Sequence, residues 1–343
     1  MSKVTPTSQR KSDHIQISLE QDTQSGLSTN LERYHFQHNA IPELNLDEIV
    51  ASTTFLGKSI SCPLLISSMT GGTQRAAEIN IALAKAAQEN GIAMGLGSQR
   101  AAIEDPELAG TYQLREYAPD IVLLANLGAV QLNYGFGPDE CRRAVEMVEA
   151  DGLILHLNAL QEALQPNGDV RFSGLIKRIE EVCHTLEVPV IAKEVGWGIS
   201  AEAAKQLANA GVYAIDVAGA GGTSWSQVEK HRAKTDAQAQ RAAIFKSWGI
   251  PTADAIVQIR ETLASIPLIA SGGIRSGIDI AKCIALGADV CGIAGPFLKA
   301  ATLSAESVSE CIQQYANELR ICMFAAGLAD FQALKDTALR VDP

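Results

Sequence analysis

One pattern occurs eight times between residues 62 and 295: a short apolar run, then polar or glycine-rich residues, then apolar residues at helical spacing. Segments such as AAEINIALAKAAQENG and AEAAKQLANAG place Ala, Leu and Ile on one helix face and end at glycine. Eight strand–helix units predict an α/β fold of the (β/α)8 TIM barrel type. An open doubly wound sheet is the alternative, but it usually has fewer strands in one domain. The predicted strands lie in residues 62–68, 91–98, 120–128, 152–158, 188–196, 212–222, 266–273 and 289–295.

The flanking residues are predicted to complete a single domain over residues 1–343. Residues 1–61 form an N-terminal arm with a polar start, residues 62–300 form the barrel, and residues 301–343 form C-terminal helices. The segment 219–251 is too long for an ordinary connection between a strand and a helix. Its charged middle fits a solvated loop, whereas its glycine-rich beginning and two tryptophans fit a lid or a subunit contact. Both interpretations are open.

The composition of the chain argues against several classes of function. A formal charge of −11 argues against a general nucleic-acid binder, although backbone amides and a few cations can still hold an anion. The sequence has no apolar run of membrane-spanning length, and its start, MSKVTPTSQRKSDH, lacks the apolar segment of a signal peptide. The seven cysteines show neither CxxC nor zinc spacing. We therefore expect reduced thiols and a cytoplasmic protein.

Chemistry in this fold takes place at the carboxyl ends of the strands. After the fourth strand the stretch HLNALQE sets an imidazole, two amides and a carboxylate at one exit. Unpaired buried groups of this kind are costly, so water or a polar ligand must meet them. Small residues close the seventh and eighth strands at Gly272, Gly273, Ala294 and Gly295. They favour a phosphate site over simple tight turns, because backbone N–H groups can approach closely there.

Two charged residues at the strand exits have more than one interpretation. Lys193, in VIAKEVG, has three: a structural ion pair with Glu194 or Asp216, a Schiff base, or stabilisation of negative charge on an electron-rich ring. Glu162 is either a solvated loop carboxylate or a Mg²⁺ ligand beside a phosphate. Sequence spacing does not decide between these roles.

The basic group Arg10, Lys11 and His14 lies far from the barrel in sequence. Such a group is usually part of a solvated tail. Apolar residues nevertheless alternate over residues 15–19, which would anchor the segment. Together with Arg100, these cations are candidates for binding an anionic substrate through charge-assisted hydrogen bonds.

Taken together, the motifs resemble type 2 isopentenyl diphosphate isomerase, the FMN-dependent form. They run from residue 10 to about residue 296, and MFAAG (323–327) resembles the family's terminal helix. GGIR and AGP are shared with many FMN barrels, whereas the basic arm, SQR and HLNxxQE are far more particular. The motifs that carry the resemblance are RKSDHI, SSMTGG, GSQR, LLANLG, HLNALQE, PVIAKEVGWGIS, GAGGTSW, SGGIRSG and GIAGP.

The resemblance implies a set of site residues. His156, Gln161 and Lys193 take the catalytic roles, and Glu162 holds Mg²⁺. Ala218 stands where many members have Ser, which removes one flavin hydrogen bond. FMN is expected at Ser68, Met69, Thr70, Ser98, Asn126, Lys193, Thr223, Gly272, Gly273, Arg275, Ala294 and Gly295. The substrate is expected at Arg10, Lys11, His14, Ser98, Gln99, Arg100, His156, Asn158 and Gln161.

The implied activity belongs to isoprenoid biosynthesis: the interconversion of isopentenyl diphosphate and dimethylallyl diphosphate by a 1,3-allylic proton shift. Reduced FMN is the expected acid and base, Mg²⁺ binds the diphosphate, and NADPH serves only to reduce the flavin. The expected partner is a small diphosphate, without nucleic acid or membrane, in a homo-oligomer (a tetramer or octamer). Rival interpretations are an FMN-dependent 2-hydroxy-acid oxidase or dehydrogenase, a Schiff-base aldolase using Lys193, and a non-catalytic flavin-binding barrel.

Overall fold

The described part of the arm that precedes the barrel contains one long helix and three short strands. In the computed structural model, which describes the backbone of residues 6–342 and the side chains of residues 10–342, helix α1 spans Pro6–Glu20. Residues 1–5 of the predicted polar start, and residue 343, lie outside the described residues. Strand β1 covers Tyr34–His35, and strands β2 and β3 cover Thr53–Phe55 and Lys58–Ile60.

Helix α1 is anchored by part of the apolar pattern seen in the sequence. Ile15 is buried and Leu19 packs against the core, whereas Ile17 does neither. Residues four positions apart share a helix face, but residues two positions apart do not. The alternating pattern therefore anchors the arm as predicted, through a helical face that uses two of its three apolar residues.

Eight parallel strands close into a barrel, which confirms the predicted (β/α)8 fold. They follow one another around the barrel in chain order, and β11 pairs with β4 to close it. Each predicted apolar run contains one strand. The strands are β4 Leu64–Ile66, β5 Ala93–Gly95, β6 Leu123–Gly128, β7 Gly152–His156, β8 Val190–Lys193, β9 Ala214–Asp216, β10 Leu268–Ser271 and β11 Val290–Ile293.

A compact apolar cluster fills the inside of the barrel. Every barrel strand contributes a buried residue to it, including Leu65, Leu124 and Ile269. Phe55 and Ile60 of the β2–β3 hairpin belong to the same cluster, so the hairpin plugs one end of the barrel. The opposite end, at the carboxyl ends of the strands, is left for the cavity described below.

Helices follow the strands and pack on the outside of the barrel. Some of them start at a side-chain cap: Thr73, Ser200 and Ser276 each accept a hydrogen bond from a backbone N–H of the first turn. The helices are α2 Gln74–Asn90, α3 Arg100–Glu104, α4 Pro138–Val148, α5 Ala159–Leu164, α6 Leu175–Thr185, α7 Ala201–Asn209, α8 Trp225–Arg232, α9 Asp236–Ala243, α10 Thr252–Thr262, α11 Gly277–Ala285 and α12 Gly295–Ala301.

The long segment 219–251 contains two helices and is not an open loop. It contains α8 and α9, and α8 packs against α1 and α5. Trp225, at the start of α8, lines the cavity at the barrel mouth. This arrangement favours a lid rather than a solvated loop, because the charged middle of the segment packs against the arm and against the connection that follows the fourth barrel strand.

The C-terminal segment packs back onto both the barrel and the arm. Helix α13 spans Ala305–Ala326 and packs on α2 and α11, and helix α14 spans Phe331–Lys335. A short strand, β12 Arg340–Val341, pairs with β1 in antiparallel register, which the sequence pattern did not predict. Within residues 6–342, no helix combines the length and apolar character needed to cross a bilayer.

Candidate active site

A cavity of about 750 Å³ opens at the carboxyl ends of the barrel strands, beneath α1. It brings together residues that lie more than 280 positions apart in the sequence, as the barrel prediction requires. Every residue expected at the FMN, substrate and metal sites lines this cavity, with the exception of Gln99. The structure thus gathers the predicted FMN residues and all the predicted substrate residues except Gln99 into one space.

Gln99 is turned away from the cavity, contrary to its expected place among the substrate ligands. Its side chain is completely buried, where Nε2 donates to the Ala144 carbonyl at 2.8 Å and Oε1 accepts from the Asn126 N–H at 2.9 Å. Both ends of the amide are therefore occupied. Gln99 fixes the β6 exit that carries Asn126, and its neighbours Ser98 and Arg100 face the cavity instead.

The exit of β4 presents three hydroxyl groups to the cavity. The side-chain oxygens of Ser67, Ser68 and Thr70 are buried, and they have no hydrogen-bond partner among the described residues. Leaving buried hydroxyls unpaired costs about 1–3 kcal/mol each. A polar ligand that lies across this exit would satisfy them, which fits the assignment of Ser68 and Thr70 to the flavin.

The loops after β9 and β10 meet at glycines, so closely that side chains would not fit. A Cβ atom on Gly272 would lie 2.0 Å from the Gly219 carbonyl oxygen, and one on Gly222 would lie 2.5 Å from the Gly273 nitrogen. Gly272 and Gly273 also have positive φ angles of 100° and 76°. This crossing forms a backbone cradle on the cavity wall, as expected where backbone amides bind phosphate.

Lys193 lies at the exit of β8 with its ammonium group partnered inside the protein. Nζ donates to the Glu194 carbonyl at 2.8 Å and lies 3.6 Å from Asp216 Oδ2. The Glu194 carboxylate does not pair with it, because that group accepts the N–H bonds of residues 195–197 at 2.6–2.7 Å. The ion pair is therefore with Asp216, and Lys193 still lines the cavity, where a ligand can meet it.

His156, at the exit of β7, is held as a neutral imidazole. Its Nδ1 lies 2.8 Å from Asn126 Oδ1, an oxygen that only accepts, so the proton is on Nδ1 and Nε2 is free to accept from a ligand. Burial lowers the pKa of His156 to about 4, with further lowering by Lys193, Lys11 and Arg10. At neutral pH it can therefore bind a ligand as an acceptor but supplies no positive charge.

Gln161 and His14 meet at a carboxylate that sequence reasoning missed. Glu229, buried on α8, accepts from Gln161 Nε2 at 3.2 Å and from Arg232 Nη1 at 2.6 Å, and it lies 3.4 Å from His14 Nε2. The edge of His14 also contacts the Trp225 ring, at 4.9 Å between centroids. Glu229 fell within the charged stretch of segment 219–251, where nothing in the sequence marked it as buried.

Lys11 is held at the cavity wall by a contact with Tyr112, a second residue that the sequence did not indicate. Its Nζ donates to the Ser98 carbonyl at 2.7 Å and to Tyr112 Oη at 2.5 Å. Tyr112 is completely buried and donates to the same carbonyl. Burial, followed by the nearby Arg10, lowers the pKa of Lys11 to about 7. The lysine is thus positioned firmly but is easily deprotonated until an anion arrives.

Arg100 enters the cavity already paired with carboxylates. It lies 2.6 Å from Asp169 and 2.7 Å from Glu104. Asp169 also accepts from Gln131 Nε2 at 3.0 Å, which ties the loop after α5 to the β6 exit. An anionic ligand must therefore share Arg100 with Asp169 or displace it.

Glu162 lies on the first turn of α5 and is buried. Its Oε1 accepts from Asn158 Nδ2 at 2.9 Å, and its Oε2 accepts from the Asp169 N–H at 2.7 Å. Within the described residues no cluster of three or more His, Cys, Asp or Glu side chains is arranged to hold a metal. One carboxylate beside the unpartnered Asn158 Oδ1 fits Mg²⁺ whose other ligands are phosphate oxygens and water.

The fold has counterparts among solved flavin oxidases. The chain is similar to mandelate oxidase bound to (S)-2-phenylpropionate, with a TM-score of 0.66, 19% identity, and coverage of 97% of this chain and 96% of that one. It is also similar to a lactate oxidase from Pediococcus acidilactici, with a TM-score of 0.66, 16% identity, and coverage of 100% and 96%. At these identities the likeness establishes the fold alone.

Sequence comparison defines the family more closely. The model of the FMN-dependent dehydrogenase family matches residues 13–113 and 158–341. With the barrel and the cavity, this match defines an FMN-dependent barrel protein. The isopentenyl-diphosphate delta-isomerase of Nostoc sp. (strain PCC 7120 / SAG 25.82 / UTEX 2576) is 53% identical over 330 residues, covering 96% of this chain and 94% of that protein. The isopentenyl-diphosphate delta-isomerase of Rickettsia bellii (strain RML369-C) is 53% identical over 333 residues, covering 97% of each. The chain belongs to the type 2, FMN-dependent isopentenyl-diphosphate isomerase family.

Proposed function

We propose that this protein interconverts isopentenyl diphosphate and dimethylallyl diphosphate by a 1,3-allylic proton shift, as an enzyme of isoprenoid biosynthesis. The observation that carries the proposal is one cavity that combines the glycine cradle and hydroxyls expected for a flavin with the cations and amides expected for a diphosphate. The names of relatives that are 53% identical over nearly the whole chain support the same activity.

FMN is the cofactor that the cavity fits. Ser68 and Thr70 have buried hydroxyls without partners among the described residues, and Gly272 and Gly273 present backbone instead of side chains at the cavity wall. We assign the flavin to these residues together with Met69, Ser98, Asn126, Lys193, Thr223, Arg275, Ala294 and Gly295, which line the same cavity. Reduced FMN, when bound, supplies the acid and base chemistry of the allylic shift.

The diphosphate is assigned to the cations and hydrogen-bonding side chains of the same cavity. A chain with a formal charge of −11 needs local positive charge to attract such a substrate, and Arg10, Lys11 and Arg100 supply it. His156, Asn158 and Gln161 add hydrogen-bonding groups, and His14 joins them from α1. Closing the arm over the substrate excludes water, which strengthens these interactions.

The side chains around the cavity position the substrate and leave proton delivery to the cofactor. Among the described residues that line the cavity, Glu162 is the one carboxylate, and we assign it to the metal. His156, with a pKa lowered to about 4 by burial, is not an acid at neutral pH. Lys193 contributes positive charge that stabilises an anionic ring. His156, Gln161 and Lys193, the proposed catalytic residues, therefore act by hydrogen bonding and charge, and not by proton transfer.

Metal, reductant and assembly complete the proposal. Glu162 would hold Mg²⁺ that neutralises charge on the diphosphate, and NADPH would serve as the reductant of the flavin. We further propose that the chain is one domain over residues 1–343 that works as a cytoplasmic homo-oligomer, a tetramer or octamer. The seven cysteines are all free thiols, which fits a reducing compartment. Ile244 and Trp248 expose 76% and 59% of their surface, which fits a covered face in an assembly.

The rival activities find less support in the same cavity. A 2-hydroxy-acid oxidase needs a histidine base and an arginine pair that grips a carboxylate. The cavity-lining histidines described here are His14, from the arm, and His156, from β7, whereas Arg275 has no histidine beside it on β9 or β10. A Schiff-base aldolase needs a free amine at Lys193. There the ammonium is engaged by Glu194 and Asp216 instead.

An anaerobic assay with isopentenyl diphosphate tests the proposal. FMN, NADPH and Mg²⁺ are each omitted in turn, and dimethylallyl diphosphate is measured. We expect product with all three present and little without FMN or Mg²⁺, and dithionite should replace NADPH. Turnover of 2-hydroxy acids without isomerisation would support the oxidase instead.

A further inference from the structure

We propose that Asp216 is a positioning residue that sets the reduction potential of bound FMN through Lys193, with Ser271 as its hydrogen-bond donor. The inference rests on the proposed function only in taking FMN as the cofactor. It adds a role for a carboxylate that is completely buried and lies behind the cavity wall.

The three residues come from adjacent strands at the same level of the barrel. In the parallel register Lys193 on β8 is the partner of Asp216 on β9, and Asp216 is the partner of Ile269 on β10. Ser271 is two residues further along β10 and donates from Oγ to Asp216 Oδ1 at 2.5 Å. Asp216 Oδ2 lies 3.6 Å from Lys193 Nζ. The carboxylate is thus fixed on one side and faces the ammonium on the other.

The two oxygens of Asp216 serve different purposes. Oδ1 also accepts from the Ala218 N–H at 3.3 Å, which closes a turn at a residue with a φ of +38°. An asparagine would close such a turn as well as an aspartate does. Oδ2 has no hydrogen-bond partner among the described residues. The turn needs an oxygen acceptor but no charge. Since burying an unpaired charge is costly, the negative charge of Asp216 is accounted for by the nearby ammonium of Lys193.

A carboxylate at this distance opposes the field of Lys193 at the cavity surface. Charges interact more strongly in the protein interior than in water, so the opposition is substantial there. Lys193 stabilises the negative charge of reduced flavin, and Asp216 limits that stabilisation while it holds the ammonium at the β8 exit. Removing the charge of Asp216 should therefore favour reduced FMN. Without the Ser271 donor, the negative charge of the Asp216 carboxylate is no longer partly offset by that hydrogen bond. The loss of this donor should therefore favour oxidised FMN.

The test compares the midpoint potentials of FMN bound to the wild type, Asp216→Asn, Ser271→Ala and Asp289→Asn, by anaerobic titration against redox dyes. Asp289→Asn is the matched control. Asp289 pairs with Arg260 and Lys335 and accepts the Leu268 N–H, at the opposite end of the barrel from the cavity.

We expect the potential of Asp216→Asn to become more positive, with a tenfold gain in the preference for reduced FMN corresponding to about 30 mV for a two-electron couple. Ser271→Ala should shift it in the negative direction, and Asp289→Asn should not shift it. Equal potentials in Asp216→Asn and Asp289→Asn would overturn the inference. If Asp216→Asn does not retain FMN, Ser271→Ala decides, because an unchanged or more positive potential there also overturns it. A protein that shows these shifts but does not isomerise would refute the proposed function and leave this inference intact.

Discussion

His156 Nδ1 lies 2.8 Å from Asn126 Oδ1, across the adjacent strands β7 and β6. This contact fixes the tautomer of the imidazole, with the proton on Nδ1. Together with burial, which lowers the pKa of His156 to about 4, it makes the residue a neutral acceptor in a site that binds anions. The protein uses lysine and arginine there for charge and reserves histidine for orientation.

Asn126→Asp should raise the pKa of His156, because a carboxylate beside the imidazole favours its charged form. The measurement is an NMR titration of ¹⁵N-labelled histidine in the protein without cofactor. Asn133→Asp is the control, since Asn133 bonds to the carbonyls of Arg171 and Ser173 and not to His156. A wild-type His156 that titrates near the ordinary value of about 6.5 would contradict the assigned environment.

Substrate binding should take up a proton at Lys11. In the free protein burial lowers its pKa to about 7, so above that pH the amine is largely neutral. A bound diphosphate favours the ammonium and raises the pKa again. Between the two values the complex holds one proton more than the free protein, so diphosphate affinity should fall as the pH rises above 7.

Calorimetry of pyrophosphate binding at pH 8, in buffers of different ionisation enthalpy, measures this uptake directly. The wild type should take up about one proton more than Lys11→Arg, because arginine stays charged and any proton exchanged by the ligand is common to both proteins. Equal proton uptake by the two proteins would place the titrating group elsewhere.

Glu162→Gln should abolish the response of substrate binding to Mg²⁺ and leave FMN binding unchanged. The amide lacks the negative charge that the metal needs. Its NH₂ group must also face one of the two N–H donors, Asn158 Nδ2 or the Asp169 N–H, that now bind the carboxylate oxygens. The checks are pyrophosphate binding with and without Mg²⁺ and an FMN titration. Glu146→Gln, on the exposed face of α4, is the control. An intact Mg²⁺ response in Glu162→Gln would remove the metal assignment.

Lys193→Met should destabilise the cofactor-free protein by about 3–5 kcal/mol, because it leaves Asp216 buried without its counter-charge. Lys193→Met combined with Asp216→Asn should recover most of this loss. Urea denaturation gives both values. Lys58→Met is a matched control with a smaller expected loss, since its partner Asp151 keeps Arg115 at 3.0 Å. No recovery in the double variant would show that the stability does not depend on this pair.

The barrel and the shared location of the site could both be predicted from the sequence. Strand periodicity, combined with the rule that chemistry lies at the carboxyl ends of the strands, is enough to predict that Ser68, His156 and Lys193 share one cavity. The direction of a single side chain was not accessible in this way. Gln99 follows a strand in the same way as Ser98, yet it points into the protein because its amide bonds Asn126 and Ala144.

Contacts between distant segments were also beyond the sequence. Glu229 and Tyr112 are functional neighbours because α8 and the connection that follows β5 fold against α1, and neither residue stands in a motif. The β1–β12 pair has two residues on each side, which is too short for any periodicity to reveal. Such pairings depend on tertiary packing and not on local pattern.

The most direct test of the account is the number of product molecules formed for each reduction of the flavin. The FMN-loaded protein is reduced once with dithionite under anaerobic conditions, the excess reductant is removed, and isopentenyl diphosphate and Mg²⁺ are added. If reduced FMN acts as acid and base in a reaction without net redox change, many molecules of dimethylallyl diphosphate should form while the flavin stays reduced. Product limited to one molecule per flavin, with the flavin oxidised in step, would contradict the account.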